Sequence, residues 1–373
     1  MMNEENVACF KALRGDIVHF IKDPYQIPDA SKREDDPTRR FDESVQYVPD
    51  GILLLKRNDD LMTTGQNKSV YVVEGMFPYS DIGNALPDSK LVSNLTIEDR
   101  RPGIILPGFI DLHVHATQEN IIASYGASLL PWLQEYVLPG KRNYVSFFVW
   151  FIQQVPKPLC SLISKLGEQL NVESTKFAQL MMKNFLQSCL QAGTTTPVAF
   201  TTYSKQVPDL LFQEAEKLDM AIITGAQGQD NFDTNDDFVN ATIELYEKWH
   251  RRGRALYAIT LRFAPGSSFQ QMQDTERLSK KYPDAYFLTH LAETYNEVQV
   301  ASLLYQHDGV PQGLPDDHAG VPPNLTYLEL YDYFGLLRKN RSVMGHSIHL
   351  SESDWELMAE RGAIAAHCPT SNK

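Results

Sequence analysis

The chain has 373 residues, of which 43% are hydrophobic and 22% charged. That length exceeds one average domain and suffices for a TIM barrel with a small second domain. Acidic residues outnumber basic ones by 47 to 34, and the resulting net charge of −13 disfavours a nucleic-acid or anionic-membrane partner. The four cysteines show no Cys-x-x-Cys spacing, which indicates a reducing compartment and no disulfide framework.

The N-terminal residues and the longest apolar run indicate where the protein is expected to reside. The first eight residues lack the basic and apolar regions of a signal peptide. The longest apolar run, over residues 145–152, is far too short to span a bilayer. We therefore expect a cytoplasmic protein.

The first part of the chain, up to about residue 105, alternates short β-like runs with polar, turn-rich stretches. Strands are predicted over 16–21, 51–55 and 69–74, because these runs are rich in β-branched and apolar residues. Residues 27–41, rich in Pro, Asp and Arg, are predicted to form a loop. We expect residues 1–105 to form part of a small β-sandwich-like domain.

After Pro107, short apolar strands alternate with amphipathic helical segments. Helices are predicted over 176–191, 208–218, 238–251 and 276–282, and strands near 109–115, 193–200, 220–226, 256–264, 285–291, 342–348 and 363–368. This repetition predicts an α/β fold, a (β/α)8 TIM-like barrel over residues 106–373. Only seven strands are found, so the last barrel strand is expected to be missing, which leaves two open sheet edges.

A His-x-His pair stands in the first of these strands. The apolar, partly β-branched run from Phe109 to Val114 predicts a buried strand. Period-2 alternation places His113 and His115 on one side of it, where two imidazoles can bind one metal ion. A structural histidine pair is the alternative, but histidine is rare in buried strands.

Further polar residues follow the later strands, at the barrel face where TIM-barrel enzymes place their active sites. They are Arg262 after the fourth strand, His290 and Glu293 after the fifth, His346 after the sixth and His367 after the seventh. A single histidine at a strand end is usually a satisfied polar residue, but five at corresponding strand ends favour a site. The other histidines, at positions 19, 250, 307, 318 and 349, are interpreted as surface or packing residues.

These side chains suggest hydrolytic chemistry at a metal ion. His113, His115 and His290 can hold zinc, or less plausibly iron, with one position left for water. Glu293 is suited to take the proton of that water, and its alternative role is a solvated loop carboxylate. His346 can orient the water or stabilise a developing oxyanion.

The sequence resembles the amidohydrolase superfamily, and within it the guanine deaminase family. The similarity runs from about Leu106 to Asn372. Its most specific segments are residues 108–118, 130–136, 193–196, 257–263, 289–293 and 366–372. Gln118, three residues after the second histidine of the pair, and the Arg262-Phe263 dipeptide narrow the resemblance to guanine deaminases.

This resemblance implies hydrolysis of guanine to xanthine and ammonia by a zinc enzyme. It implies that His113, His115 and His290 bind one zinc ion, and that Glu293 and His346 handle protons. It implies that Gln118 and Arg262 hold the substrate, guanine. Phe263, beside Arg262, is expected to pack on the purine face, and Trp132 and Leu133 to line the pocket or close it off. A homodimer is implied as well. For Gln118 and Arg262, a surface glutamine and an ion-paired arginine are the alternatives.

The sequence also departs from the family pattern. The family's aspartate zinc ligand, at the end of an eighth strand, has no counterpart before Lys373, and residues 140–172 form an atypical insertion. Both departures follow well-matched segments directly, so we hypothesise a fragment or mis-spliced gene product. A sequenced transcript that ends at codon 373 and encodes residues 140–172 would contradict that hypothesis. An open barrel with an incomplete metal shell predicts an unstable, inactive chain.

Two alternative functions remain open at this stage. The same fold could deaminate another purine, a pterin or a triazine, although Gln118 and Arg262 favour guanine. A non-catalytic amidohydrolase-like binding protein is the alternative from another class, and loss of the metal ligands would be its sign.

Overall fold

A computed structural model describes residues 10–21, 44–58, 70–86, 95–121, 175–228, 235–305, 322 and 324–371. The chain divides into two compact units, Met1–Gly108 and Phe109–Lys373. The predicted loop over 27–41 and the atypical insertion over 140–172 lie outside the described residues.

The first unit contains a four-stranded mixed sheet. Its strands are β1 (Phe10–Phe20), β2 (Val45–Asn58), β3 (Val70–Pro78) and β4 (Ile97–Ile105), in the order β3-β2-β1-β4. A 3₁₀ turn over Tyr79–Asp81 and the short helix α1 (Ile82–Ala85) follow β3. Strand β1 pairs antiparallel with β2 and parallel with β4. The buried core residues are Ala12, Ile52, Leu54, Leu86 and Leu95.

The sequence predicted three of these strands as shorter pieces and missed β4. Strand β4 is mostly exposed and holds Asp99, Arg100, Arg101 and Pro102, so it lacks the apolar pattern on which strand prediction depends. The sandwich-like arrangement of this unit stays a prediction, since the described strands belong to one sheet.

The second unit alternates strands with helices. Its strands are β5 (Phe109–His115), β6 (Thr194–Phe200), β7 (Ile222–Thr224), β8 (Gln227–Gly228), β9 (Ala255–Leu261), β10 (Tyr286–Leu291), β11 (Ser342–His346) and β12 (Ile364–Ala366). Its helices are α2 (Thr175–Gln191), α3 (Gln206–Leu218), α4 (Asn235–Trp249), α5 (Phe269–Lys281), α6 (Tyr295–Tyr305), α7 (Tyr327–Tyr333) and α8 (Glu352–Arg361). Two 3₁₀ turns, Ala116–Ile121 and Ala264–Gly266, follow β5 and β9.

All of these strands pair in parallel, in the order β12-β11-β10-β9-β7-β6-β5, with β8 also paired to β9. Because β7 and β8 are two short pieces of one strand position, the described residues form a nearly closed barrel of seven strands. The prediction of an α/β barrel, and all seven predicted strands, are confirmed.

Two hydrophobic clusters stabilise this barrel. The larger one lies between the strands and the surrounding helices and includes Trp249, Tyr257, Phe287 and Tyr331. The smaller one fills the barrel interior with one residue from each of six strands: Val198, Ile223, Ala258, Leu288, Val343 and Ala366, joined by Phe200. This inner layer lies inside the barrel, just below the carboxyl ends of the strands.

Strand β5 differs from its predicted state. Phe109 and Ile110 are 53% and 63% exposed and the other five residues are half-buried, so the expectation of a buried strand is wrong. The reason is its place at the end of the described sheet, where only β6 pairs with it.

Within the described ranges, no helix is both long and apolar enough to cross a membrane.

Candidate metal and active site

The candidate site is built on the inner face of the barrel, at the carboxyl ends of the strands. Since side chains alternate along a strand, His290 stands two residues above Leu288 of the inner cluster, and Phe200 two above Val198. The Phe200 ring centroid lies 4.8, 5.2 and 4.5 Å from the ring centroids of His113, His115 and His290. A buried aromatic ring thus supports three histidines that the sequence assigned to one site.

His113 fits into space that a glycine leaves open. A Cβ atom built on Gly345 of β11 would lie 2.4 to 2.5 Å from two atoms of the His113 ring. Strand β5 is irregular here, since its register to β6 shifts between Asp111 and Val114. Such shifts re-aim side chains beside active sites. The rings of His113 and His115 lie 5.3 Å apart, so the predicted proximity of the pair is present.

His290 is held by the backbone of the neighbouring strand position. Its Nδ1 atom lies 2.8 Å from the carbonyl oxygen of Arg262, and the carbonyl can only accept, so Nδ1 carries the proton. The Nε2 atom is then free to act as a metal ligand, which is the usual arrangement of metal-binding histidines. This Nε2 lies 3.0 Å from the Nε2 of His115, close enough for both to reach one ion at about 2.0–2.1 Å.

The ring of His113 provides the test of whether a metal fits. Among the described residues, neither of its nitrogen atoms has a hydrogen-bond partner, although both are buried. Burial, followed by the charges of His346 and Arg262, lowers the pKa of His113 to about 3. Burial and the neighbouring histidines also hold the pKa of His290 well below its usual value. A neutral buried imidazole that lacks a partner is suited to bind a metal.

The histidines converge further than the sequence indicated. The ligand atoms of His113, His290 and His346 all lie within 4.8 Å of one another. His346 therefore belongs to the same cluster of candidate ligand atoms as His113 and His290, a cluster that does not include His115. These geometric relations support one nitrogen-rich site at this end of the barrel, within the part of the chain that the structure describes.

Glu293 and His346 face each other across the ends of β10 and β11. The Nε2 atom of His346 lies 3.5 Å from Oε2 of Glu293, and both side chains are largely buried. Burial and then the negative charge of Glu297 raise the pKa of Glu293 to about 7, against the opposing effect of Arg262. A carboxyl group with such a pKa can both accept and donate a proton near neutral pH.

The backbone at these strand ends adopts left-handed conformations that non-glycine residues rarely adopt. The φ angles are 50° at Ala292, 67° at His346 and 55° at Ser347. The two turns are joined, because the N–H of Ser347 donates to the carbonyl of Leu291 at 2.8 Å. Such strained residues cluster at active sites, where surrounding structure holds them in place.

The predicted substrate-binding residues are placed as follows. Arg262 directly follows β9, and its charge acts on His113, His290 and Glu293. Phe263 is half-buried. Its ring packs against Gly266, since a Cβ atom built on that glycine would lie 2.8 Å from a ring atom of Phe263. Gln118 lies half-buried in the 3₁₀ turn after β5. Trp132 and Leu133 lie outside the described residues.

Sequence reasoning missed several residues that lie at this site, and it counted His367 among the histidines of the site. Phe200 and Gly345 carry no chemical signature, although their inner-face positions follow from alternation once Val198 and Val343 are placed in the core. Glu297, which accepts from the backbone N–H of Glu293, was also missed. His367 follows β12 as expected, but it is exposed.

Known proteins are similar to this chain in sequence and in fold. Residues 104–373 match the model of the amidohydrolase family. Guanine deaminase of Escherichia coli strain K12 is 31% identical over 382 residues, which cover all of this chain and 69% of that protein. The solved structure of the E. coli enzyme matches with a TM-score of 0.70 at 30% identity, over 97% of this chain and 68% of that one.

A second solved structure, guanine deaminase from Bradyrhizobium japonicum, matches with a TM-score of 0.71 at 27% identity. It covers 97% of this chain and 64% of its own. The chain thus spans between 64% and 69% of the length of these two relatives.

Proposed function

The chain belongs to the amidohydrolase family, and we propose that its site hydrolyses guanine to xanthine and ammonia. The observation that carries the proposal is the His113 ring, buried among three other histidines with neither nitrogen hydrogen-bonded within the described residues. Relatives that share this fold at 27 to 31% identity are guanine deaminases. Guanine plus water gives xanthine plus ammonia, so the proposal requires no redox partner.

We assign His113, His115 and His290 as ligands of one zinc ion. An all-imidazole set suits zinc, and iron is the less favoured alternative. His290 supports the assignment because its Nδ1–H bond to Arg262 directs Nε2 towards Nε2 of His115. A bound zinc ion supplies water activation, since it lowers the pKa of a coordinated water towards neutrality.

Glu293 and His346 handle the protons in this proposal. With a pKa of about 7, Glu293 accepts a proton from the attacking water and passes it to the leaving nitrogen. The Nε2 atom of His346 faces this carboxyl group at 3.5 Å and stabilises its charged form when the proton has left. His346 is therefore kept for proton handling, although its candidate ligand atom lies within 4.8 Å of those of His113 and His290.

Arg262 and Gln118 hold the purine. A guanidinium fork and a carboxamide match the acceptors and donors at the edge of a neutral, planar base. Phe263 is placed next to Arg262 to contact the purine face. The roles of Trp132 and Leu133 in lining the pocket stay predictions, as do a homodimer, a cytoplasmic location and division into a small β-domain over 1–105 and a hydrolase barrel over 106–373.

The test is the loss of guanine ultraviolet absorbance with the purified 373-residue chain, after zinc loading and after chelation. Turnover that requires zinc, with adenine, a pterin and a triazine left intact, supports the proposal. Zinc-loaded chain that leaves guanine unchanged would overturn the proposal for this chain. The same assay tests the expectation of inactivity derived from the sequence.

A further inference from the structure

Glu297 carries a buried carboxylate beside the site. Among the described residues, no ion pair offsets the cost of burying it. It lies in the first turn of α6 and is 5% exposed. A buried carboxylate is costly unless it accepts hydrogen bonds. Its burial raises its own pKa, while a hydrogen bond from the Tyr327 side chain, and then the backbone N–H groups of Glu293, Thr294 and Ala292, oppose that rise.

One of these contacts is made with Glu293, the residue proposed to carry the proton. The backbone N–H of Glu293 donates to Oε2 of Glu297 at 2.9 Å. The N–H of Glu297 in turn donates to Oγ1 of Thr294 at 3.2 Å, so Thr294 and Glu297 cap the first turn of α6 from both sides. Glu297 is thereby tied to the turn that carries Glu293.

Two other helices show what an ordinary cap of this type looks like. In α7 the N–H of Thr326 donates to Oε2 of Glu329 at 2.7 Å, and in α8 the N–H of Ser351 donates to Oδ2 of Asp354 at 3.0 Å. In both, the acidic residue in the third helical position bonds to the residue that caps the helix. In α6 the acid in the equivalent position bonds one residue further back, to Glu293.

This shift matters because the turn between β10 and α6 is strained. Ala292 has a φ of 50°, and such a backbone persists only where its surroundings hold it. The carboxylate of Glu297 accepts from the N–H of Glu293, the residue that follows Ala292, and so supplies part of that support. The position of the Glu293 side chain, 3.5 Å from Nε2 of His346, depends on this turn.

We propose that Glu297 is a positioning residue for the reaction, because its buried carboxylate holds the backbone of Glu293 and thereby places the Glu293 carboxyl group. The proposal rests on the proposed function for the kinetic effect. The backbone restraint itself does not depend on which substrate is used.

The kinetic test compares Glu297→Ala with Glu329→Ala, which removes the matching acid from the cap of α7. We expect Glu297→Ala to lower kcat for guanine about 10- to 100-fold with little change in KM, because a displaced carboxyl group costs turnover rather than binding. Glu329→Ala removes the cap of α7, whose first residue, Tyr327, also bonds to Glu297, so we expect at most a small fall in kcat for this variant. Glu297→Gln retains an acceptor oxygen and recovers part of the loss, which also guards against a misfolded alanine variant.

A second measurement separates this proposal from the proposed function. Hydrogen exchange at the amide of Glu293 is followed in the full chain, with zinc content measured in parallel. Faster exchange at Glu293 in Glu297→Ala, but not in Glu329→Ala, supports the restraint even if the wild type does not act on guanine. Wild-type exchange at Glu293 in Glu297→Ala, or an unchanged kcat in a chain that deaminates guanine, overturns it.

Discussion

Two buried histidines at opposite ends of the barrel strands differ in every partner. His250, at the amino end of β9, has a side chain that is 4% exposed and uses both ring nitrogens. Its Nδ1 accepts from the N–H of Tyr257 at 3.0 Å, and its Nε2 lies 3.1 Å from Oδ2 of Asp284. His113, at the carboxyl end, has no such partner for either nitrogen among the described residues.

The difference indicates that the amino ends of the strands contribute stability, whereas the carboxyl ends are suited to chemistry. At the amino end, polar groups are satisfied by one another: Tyr246 donates to Asp284, and Arg251 pairs with the same carboxylate. At the carboxyl end, buried imidazoles are held neutral, and two neighbouring turns adopt left-handed backbone conformations. Local rules are broken where the surrounding fold holds groups ready for a ligand.

The largest expected effect separates the two histidines directly. His113→Ala removes a proposed zinc ligand, so we expect loss of zinc and of guanine turnover. His250→Ala leaves the Tyr257 N–H without its acceptor and removes one of the contacts of Asp284, so it should destabilise the fold by about 1–3 kcal/mol and keep bound zinc. Zinc content by mass spectrometry, turnover and urea unfolding measure this contrast. Wild-type zinc content and turnover in His113→Ala would contradict the metal assignment.

The next effect concerns the space for the His113 ring. Gly345→Ala places a methyl group 2.4 to 2.5 Å from that ring, which must then move. We expect a fall in turnover of about 10- to 100-fold, since a shift of about 1 Å in a catalytic site has that cost. Gly253→Ala at the amino end is the control, because nothing lies within 4 Å of its Cβ, although its φ of 56° adds backbone strain. Equal activities of the two variants would show that Gly345 does not make room for His113.

The pH dependence of the metal-free protein should reveal the neutral histidines. The pKa of His113 is lowered from 6.5 to about 3 by burial, so between these pH values the unfolded chain binds the extra proton. The free energy of unfolding contributed by His113 is present above about pH 6.5. It is lost as pH falls, by up to about 1.4 kcal/mol per pH unit.

Urea unfolding of the chelated protein between pH 4 and 7 tests this sign. Glu293 acts in the opposite direction, because its raised pKa stabilises the folded state at low pH and loses that effect as pH rises towards 7. His113→Leu should therefore flatten or reverse the wild-type slope, whereas Glu293→Gln should steepen it. Parallel slopes in all three proteins would argue against a neutral, buried His113.

The smallest expected effect lies at the amino end. Tyr246 donates to Oδ1 of Asp284 at 2.5 Å, and burial together with this carboxylate raises the pKa of Tyr246 to about 12. Tyr246→Phe removes this bond and should cost about 1–2 kcal/mol of stability. Its kcat, KM and zinc content should match the wild type. A changed kcat would show that the amino end is coupled to the site.

Local sequence patterns were enough to predict the barrel strands. All seven were predicted because each combines an apolar, β-branched run with a following turn, which is a signal within a few residues. Strand β4 of the first unit was missed because its charged and proline residues hide that signal. The start of α5 was missed too, since its first turn is recognised mainly by Ser268, whose side chain accepts from the N–H of Gln271.

The sequence by itself determined the α/β barrel and the grouping of histidines at its carboxyl end, because strand periodicity and strand ends are local properties. Only the tertiary structure decided how those groups meet. The Nε2 atoms of His115 and His290 approach to 3.0 Å although 175 positions separate them in the chain. The space at Gly345, the support of Phe200 and the bond from Glu293 to Glu297 likewise require atomic positions. Contacts, burial and the resulting pKa values are set by the packing of the whole barrel, which no local pattern records.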